Sequence, residues 1–203
     1  MNRGAALPFA AALALAAGTA SAQDRPVLLP QRDVAVQYRV VGGPPGVPEM
    51  RMAWLAGENR QRIEMPGGGR ATVVDHKDLG ASFIVMDEQR AVMPLPVRAG
   101  ASMGLPGGVG TTGRFTRTGA ASYAGHPCTV WRYEDEKQAG EACVTADGVL
   151  LRGVGTQDGR TGGVEATRVD YGPQDPARFR RPEGYQIVRP PAPGTPGGAA
   201  PGR

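Results

Sequence analysis

Long apolar runs, histidine, lysine and aromatic residues are all scarce in this sequence, and each scarcity removes a class of function. After the first 22 residues no stretch is long enough to cross a bilayer as a helix. Only two histidines are present, His76 and His126, too few to complete a His-rich zinc site, so no metal is expected. No serine sits in a Gly-x-Ser-x-Gly elbow. The glycine-rich stretch Gly104–Gly113 lacks the Gly-Lys-Ser/Thr of a phosphate cradle. Carboxylates are scattered along polar strand faces, so no two of them stand out as a glycosidase pair. No catalytic residue and no cofactor can be nominated, and the expectation is a protein that is not an enzyme.

What is present begins with the leader. Arg3 supplies a positive start, Leu7–Ala17 is an apolar core too short to span a membrane, and Ala20-Ser21-Ala22 has the small-x-small form of a cleavage site. Residues 1–22 are therefore predicted to be a signal peptide. No cysteine follows to carry a lipid, and no Arg-Arg pair precedes the apolar core. The expected location is the periplasm, where two cysteines can oxidise. The chain carries 23 Lys+Arg against 19 Asp+Glu, or 22 against 19 once Arg3 is removed, an excess too small to argue for nucleic acid. The remaining residues suit one domain, 23–188, followed by a Pro/Gly-rich tail, 189–203, with no residue able to anchor a core.

Between the glycine and proline clusters the pattern has period two. Val34, Val36, Tyr38 and Val40 alternate with polar residues, as do Met50, Met52 and Trp54, then Ile63 and Met65. Residues 71–74, 82–86, 91–95, 114–118, 128–133, 141–145, 149–154 and 164–171 continue the series, with Asp147-Gly148 and Asp158-Gly159 as turn signals. The only helical candidate, near residues 97–105, is weakened by Gly100 and Gly104. The predicted fold is mainly β: a curved antiparallel sheet of about ten or eleven strands forming an incomplete barrel, with room for a short helix or loop lid. A β-sandwich is the structural alternative.

Cys128 and Cys143 flank a hairpin whose tip reads Glu134–Lys137. A four-residue loop there would place Cys128 opposite Cys143, about 4.5 to 5.5 Å apart, within reach of a disulfide. A redox cysteine beside His126 would need a free thiol and an orienting group that the sequence does not show. Asp75-His76-Lys77-Asp78 could serve acid-base chemistry, but it lies between two strands, where a solvated turn is the simpler reading. The apolar faces carry methionine more than aromatics. Met50, Met52, Met65 and Met86, with Trp54, are the candidate ligand-binding residues, because methionine adapts to irregular greasy ligands; ordinary core packing is the competing reading.

Two stretches carry a family resemblance. Residues 123–131 (YAGHPCTVW) with 140–151 (GEACVTADGVLL), and residues 175–185 (DPARFRRPEGY), resemble the second half of secreted bacterial domains whose fold is like that of the periplasmic lipoprotein carriers, the LolA-like fold. The resemblance implies an incomplete barrel enclosing an apolar cavity, and so a periplasmic carrier-like protein that binds a lipid or other apolar ligand. This sequence departs from the carriers in lacking a clear lid helix. The rival reading is a protein-interaction or envelope-stress-sensing module that docks a periplasmic protein partner through Arg178-Phe-Arg-Arg181. A hydrolase with unrecognised residues is the third. The leader makes the first testable point: N-terminal sequencing of exported protein should find Gln23 within a residue or two, and an exported, folded protein that retains Met1 would contradict the localisation.

Overall fold

The computed structural model describes residues 25–42, 49–65, 69–97, 113–136, 138–157 and 160–189. The predicted signal peptide, the helical candidate beyond Val97 and the tail beyond Arg189 lie outside the described residues. Twelve strands form one sheet: β1 (Val34–Val41), β2 (Met50–Leu55), β3 (Arg60–Glu64), β4 (Arg70–Asp75), β5 (Phe83–Met86), β6 (Ala91–Pro94), β7 (Arg114–Tyr123), β8 (His126–Glu134), β9 (Gln138–Val144), β10 (Leu150–Gln157), β11 (Arg160–Tyr171) and β12 (Gln186–Ile187). Their order is β12-β6-β5-β4-β3-β2-β1-β11-β10-β9-β8-β7. Two antiparallel meanders are thus joined where β1 pairs with β11, from Val34↔Tyr171 to Val41↔Gly163. The only helical segments among the described residues are short 3-10 turns.

The sheet is open, yet strongly curled. In a flat sheet four strand spacings would hold β7 about 19 Å from β11; here the two strands approach within 8 Å at their Cα atoms. Curling gives the sheet an inner face, and on it Val34, Val36, Tyr38, Met52 and Trp54 share one buried cluster with Trp131, Tyr133, Leu150 and Val164 from the other meander. Tyr38, fully buried on β1, donates its hydroxyl to the Leu150 carbonyl on β10 at 2.7 Å. Burial without a balancing cation pushes this phenol well above its ordinary value, so it remains a donor. Val40, on the same face of β1 in the sequence pattern, is 39% exposed near the strand's end.

Directly opposed residues continue the inner face as a row, Val169–Val36–Met52–Ile63–Thr72–Ile84–Met93, across seven strands. The outer face of the first meander is not the polar face that alternation predicts. Ala53, Leu55, Val73, Val85 and Val92 are buried there as well, which explains the continuous apolar runs of β4 and β5.

What covers the outer face is the chain's own C-terminal segment. After β11 the backbone turns at Gly172, whose N–H donates to the Asp33 carbonyl. A 3-10 turn over Pro176–Phe179, capped by Asp175 accepting from the Ala177 N–H, then drives Phe179 to zero exposure against Ala53, Leu55, Val73, Phe83, Val85 and Val92. Beyond it β12 adds to β6 in parallel, a strand pairing the sequence pattern did not contain. Tyr185 packs against the same cluster and donates to Asp87 at 2.9 Å.

The cysteine hairpin forms with a corrected register. Glu134 opposes Ala139 and Val130 opposes Cys143, so the tip begins one residue later than predicted and Cys128 is diagonal to Cys143. The disulfide still closes, with Cα atoms 5.4 Å apart, because residues 128 and 130 share a face of the strand. Beside it Tyr133 lies over Gly140 and Gly155; a Cβ at either glycine would collide with its hydroxyl.

Phe179 is the one fully buried side chain among the described residues of the C-terminal segment. Phe179→Ala should lower stability by about 3–5 kcal/mol in denaturant melts. A loss below about 1 kcal/mol would mean the segment is not part of the folded core.

Candidate functional site on the inner face

Strand alternation puts Met50, Met52, Trp54 and Met86 on the same side of the sheet as Ile63 and Ile84. Their environments differ. Met52 and Trp54 are buried, Met50 is half-buried against the same cluster, and Met86 is half-buried opposite Arg70 and Ala91. Met65, just past the end of β3, is 52% exposed. Four of the five candidates therefore share the inner face of the sheet, and Met93, opposite Ile84, extends the set.

The structure also brings polar groups to this face that the strand pattern left unconnected. Gln61, which opposes Trp54, is 1% exposed and directs its amide nitrogen at the Met52 sulfur, 2.8 Å away. Its oxygen faces His76 Nε2 at 3.0 Å, an arrangement that assigns the imidazole proton to Nε2. The His76 ring stands 4.9 Å from that of Trp54, and Trp54 Nε1 is buried with no hydrogen-bond partner among the described residues. Gln61 carried no signal in the sequence beyond being one polar residue of an alternating strand. Its partners come from β2 and from the turn after β4, which only the register identifies.

The residues 75–78 form a turn, and its carboxylate is structural. Asp75 Oδ1 accepts from the Lys77 and Asp78 N–H groups, both at 3.0 Å, while Arg60 Nε reaches Oδ2 at 3.1 Å. Burial raises the Asp75 pKa, but these donors outweigh it and hold the group below the usual aspartate value. His76 moves down as well, because burial disfavours its charged form more than Asp75 favours it. Both thiols are consumed in the disulfide. The basic segment is engaged on its own sheet: Arg178 pairs with Glu64 at 2.7 Å, Arg180 with Glu58 at 3.2 Å, and Arg181 lies over the Phe83 ring. Among the described residues no three His, Cys, Asp or Glu side chains gather as a metal site would require, and no helix is long and apolar enough to cross a membrane.

The stretch from just before β2 to the start of β10, holding the five candidates and both cysteines, coincides with a known sequence family. The family described as Domain of unknown function (DUF4412) matches residues 45–151, just over half of the chain. The chain belongs to this family. No curated protein matches the sequence. Among solved structures, the chain is similar to PNGF-II in its C2 crystal form, with TM-score 0.48 and 12% identity over 79% of this chain and 31% of that one. It is also similar to MucB, solved in complex with MucA(peri), with TM-score 0.49 and 13% identity over 78% of this chain and 57% of that one. The chain spans less than two thirds of either. The DUF4412 match includes β2 to β9 and excludes β11 and the C-terminal segment that covers the outer face.

His76 makes this site sensitive to acid. Its folded pKa lies below the ordinary value of 6.5, so below that pH the unfolded chain binds a proton that the folded one resists. Stability should fall as pH drops through 6.5, and His76→Asn should flatten that slope in melts taken from pH 7.5 to 5. An unchanged slope in the variant would contradict the assignment.

Proposed function

We propose that this DUF4412 protein is an exported, non-enzymatic binding protein of the periplasm that holds a lipid or other apolar ligand on its inner methionine face. The observation that carries the reading is the run of Met50, Met52, Ile63, Ile84, Met86 and Met93 on one side of the sheet, with Met50, Met86 and Met93 only half-buried. Unbranched thioether side chains rearrange around irregular apolar shapes at little cost, which suits an acyl chain better than a ligand of fixed outline. The resemblance of residues 123–131, 140–151 and 175–185 to domains with the lipoprotein-carrier fold points the same way. A non-enzymatic role is supported by the use of the reactive groups: Asp75 and His76 serve the turn and the core, and Cys128 and Cys143 are bonded to each other. The rival interaction-module reading looks to the Arg178-Phe-Arg-Arg181 segment, in which Arg178 pairs with Glu64, Arg180 with Glu58 and Arg181 lies over the Phe83 ring.

Trp54 reports on the proposed site directly. Titration with a fatty-acid probe should shift its fluorescence saturably, and Met50→Glu should weaken the response by placing a charge on the apolar face. Because Met50 is half-buried, melting curves should keep the variant folded at the assay temperature. A folded parent protein with no saturable response would overturn the lipid-binding reading and leave a protein partner as the better one.

A further inference from the structure

The outer face holds a second feature, on the side of the sheet opposite the methionine side chains of the inner row. Ala35 on β1 directly opposes Ala53 on β2, and the same row is flanked by Asp170 on β11 and Arg62 on β3. Two methyl groups side by side between long side chains leave a depression in the sheet. The 176–179 turn passes beside it with Arg178, and the result is a cavity of about 180 Å³ whose walls carry Arg51, Arg62, Arg178, Glu64 and Asp170.

The charges of this cavity do not cancel. Arg62 Nε and Arg178 Nη2 both donate to the same oxygen, Glu64 Oε1, at 2.8 and 2.7 Å, so two guanidinium groups share one carboxylate. Asp170 is paired with Arg168 at 2.7 Å. Arg51 faces a neutral group, with Nη2 2.9 Å from the Gln37 side-chain amide, whose other end lies 3.2 Å from Glu49. Even with Arg168 and Glu49 at the rim included, guanidinium groups outnumber carboxylates. Arginine forks of this kind match the oxygens of carboxylate and phosphate.

We propose that this cavity binds a small oxyanion, held between Arg51 of β2 and Arg178 of the C-terminal segment above the Ala35–Ala53 floor. A volume of 180 Å³ lies below the range of about 300–1,000 Å³ typical of drug-sized ligands, which limits the ligand to a compact molecule. Such a ligand bridges the sheet and the segment that covers it, so binding also stabilises the folded chain by mass action.

The test is calorimetric titration of the full chain with inorganic phosphate and, separately, with succinate, at ionic strength held constant with chloride. Saturable one-site binding of at least one probe is expected, and the stronger of the two identifies phosphate or carboxylate as the recognised group. Arg51 is exposed, so Arg51→Ala should leave the melting temperature near that of the parent while weakening binding by about tenfold or more. Ala35→Leu keeps every charge but fills the floor, and should abolish binding. Two results would overturn the proposal: a folded parent that binds neither probe saturably, or an Ala35→Leu variant that is folded and binds as the parent does.

Discussion

The pairing of β1 with β11 is the interaction on which the rest of the structure depends. It joins residues about 130 positions apart and is, among the described residues, the only ladder between the two meanders. Closing so long a loop costs chain entropy that only the burial it permits can offset. That burial is supplied on one side of β1, where Val34, Val36 and Tyr38 are almost wholly removed from water and Tyr38 reaches across β11 to Leu150. Asp33 secures the end of the pairing: its carbonyl accepts from Gly172, and its two carboxylate oxygens accept from the Ala56 and Gln174 N–H groups at 2.8 and 3.1 Å. Those bonds tie β1 to both the start of the C-terminal segment and the end of β2.

From that joint the two faces follow. The curl makes the inner face a shared core for both meanders, while the outer face of the first meander is left apolar and needs a separate cover. The C-terminal segment meets that need with two aromatic rings, buried Phe179 and the flanking Tyr185, and a series of polar ties, including Arg62 Nη1 to the Arg178 carbonyl at 2.8 Å. A cover held mainly at its charged edge leaves room beside it, and the arginine-walled cavity occupies that room. The inner face differs in kind, since its half-buried margin is lined by methionines, with exposed Arg70 opposite Met86 at its edge.

Much of the fold was legible because period-two alternation is a local signal. Val34, Val36 and Tyr38, or Met52 and Trp54, declare a buried side without reference to any partner. Register is not local, and the cysteine hairpin shows the difference: charged Glu134 looked like a loop residue but continues β8, which moved every opposed pair by two while still allowing the disulfide. The outer cover was partly visible as the 175–185 stretch that holds Phe179 and Tyr185, but its target was not, since Ala53, Leu55 and Val73 belong to strands far away in sequence. Met50, Met52 and Met86 do lie on one face, as alternation implies, whereas Met65 falls just past the end of β3 and is exposed. Gln61 could not be read, because a single polar residue in a strand has no signature of its own, and His76 was legible only as part of a turn, its approach to Gln61 and Trp54 being set by register.

The central claim is that the inner methionine face carries an apolar ligand, and native mass spectrometry of the chain purified under mild conditions tests it most directly. The account predicts a population heavier than the mature chain by the mass of a lipid or similar apolar molecule, released on denaturation and diminished in the Met50→Glu protein. A single species at the mass of the bare mature chain, from protein that is folded and competent to bind an added acyl probe in no measurable amount, would contradict it.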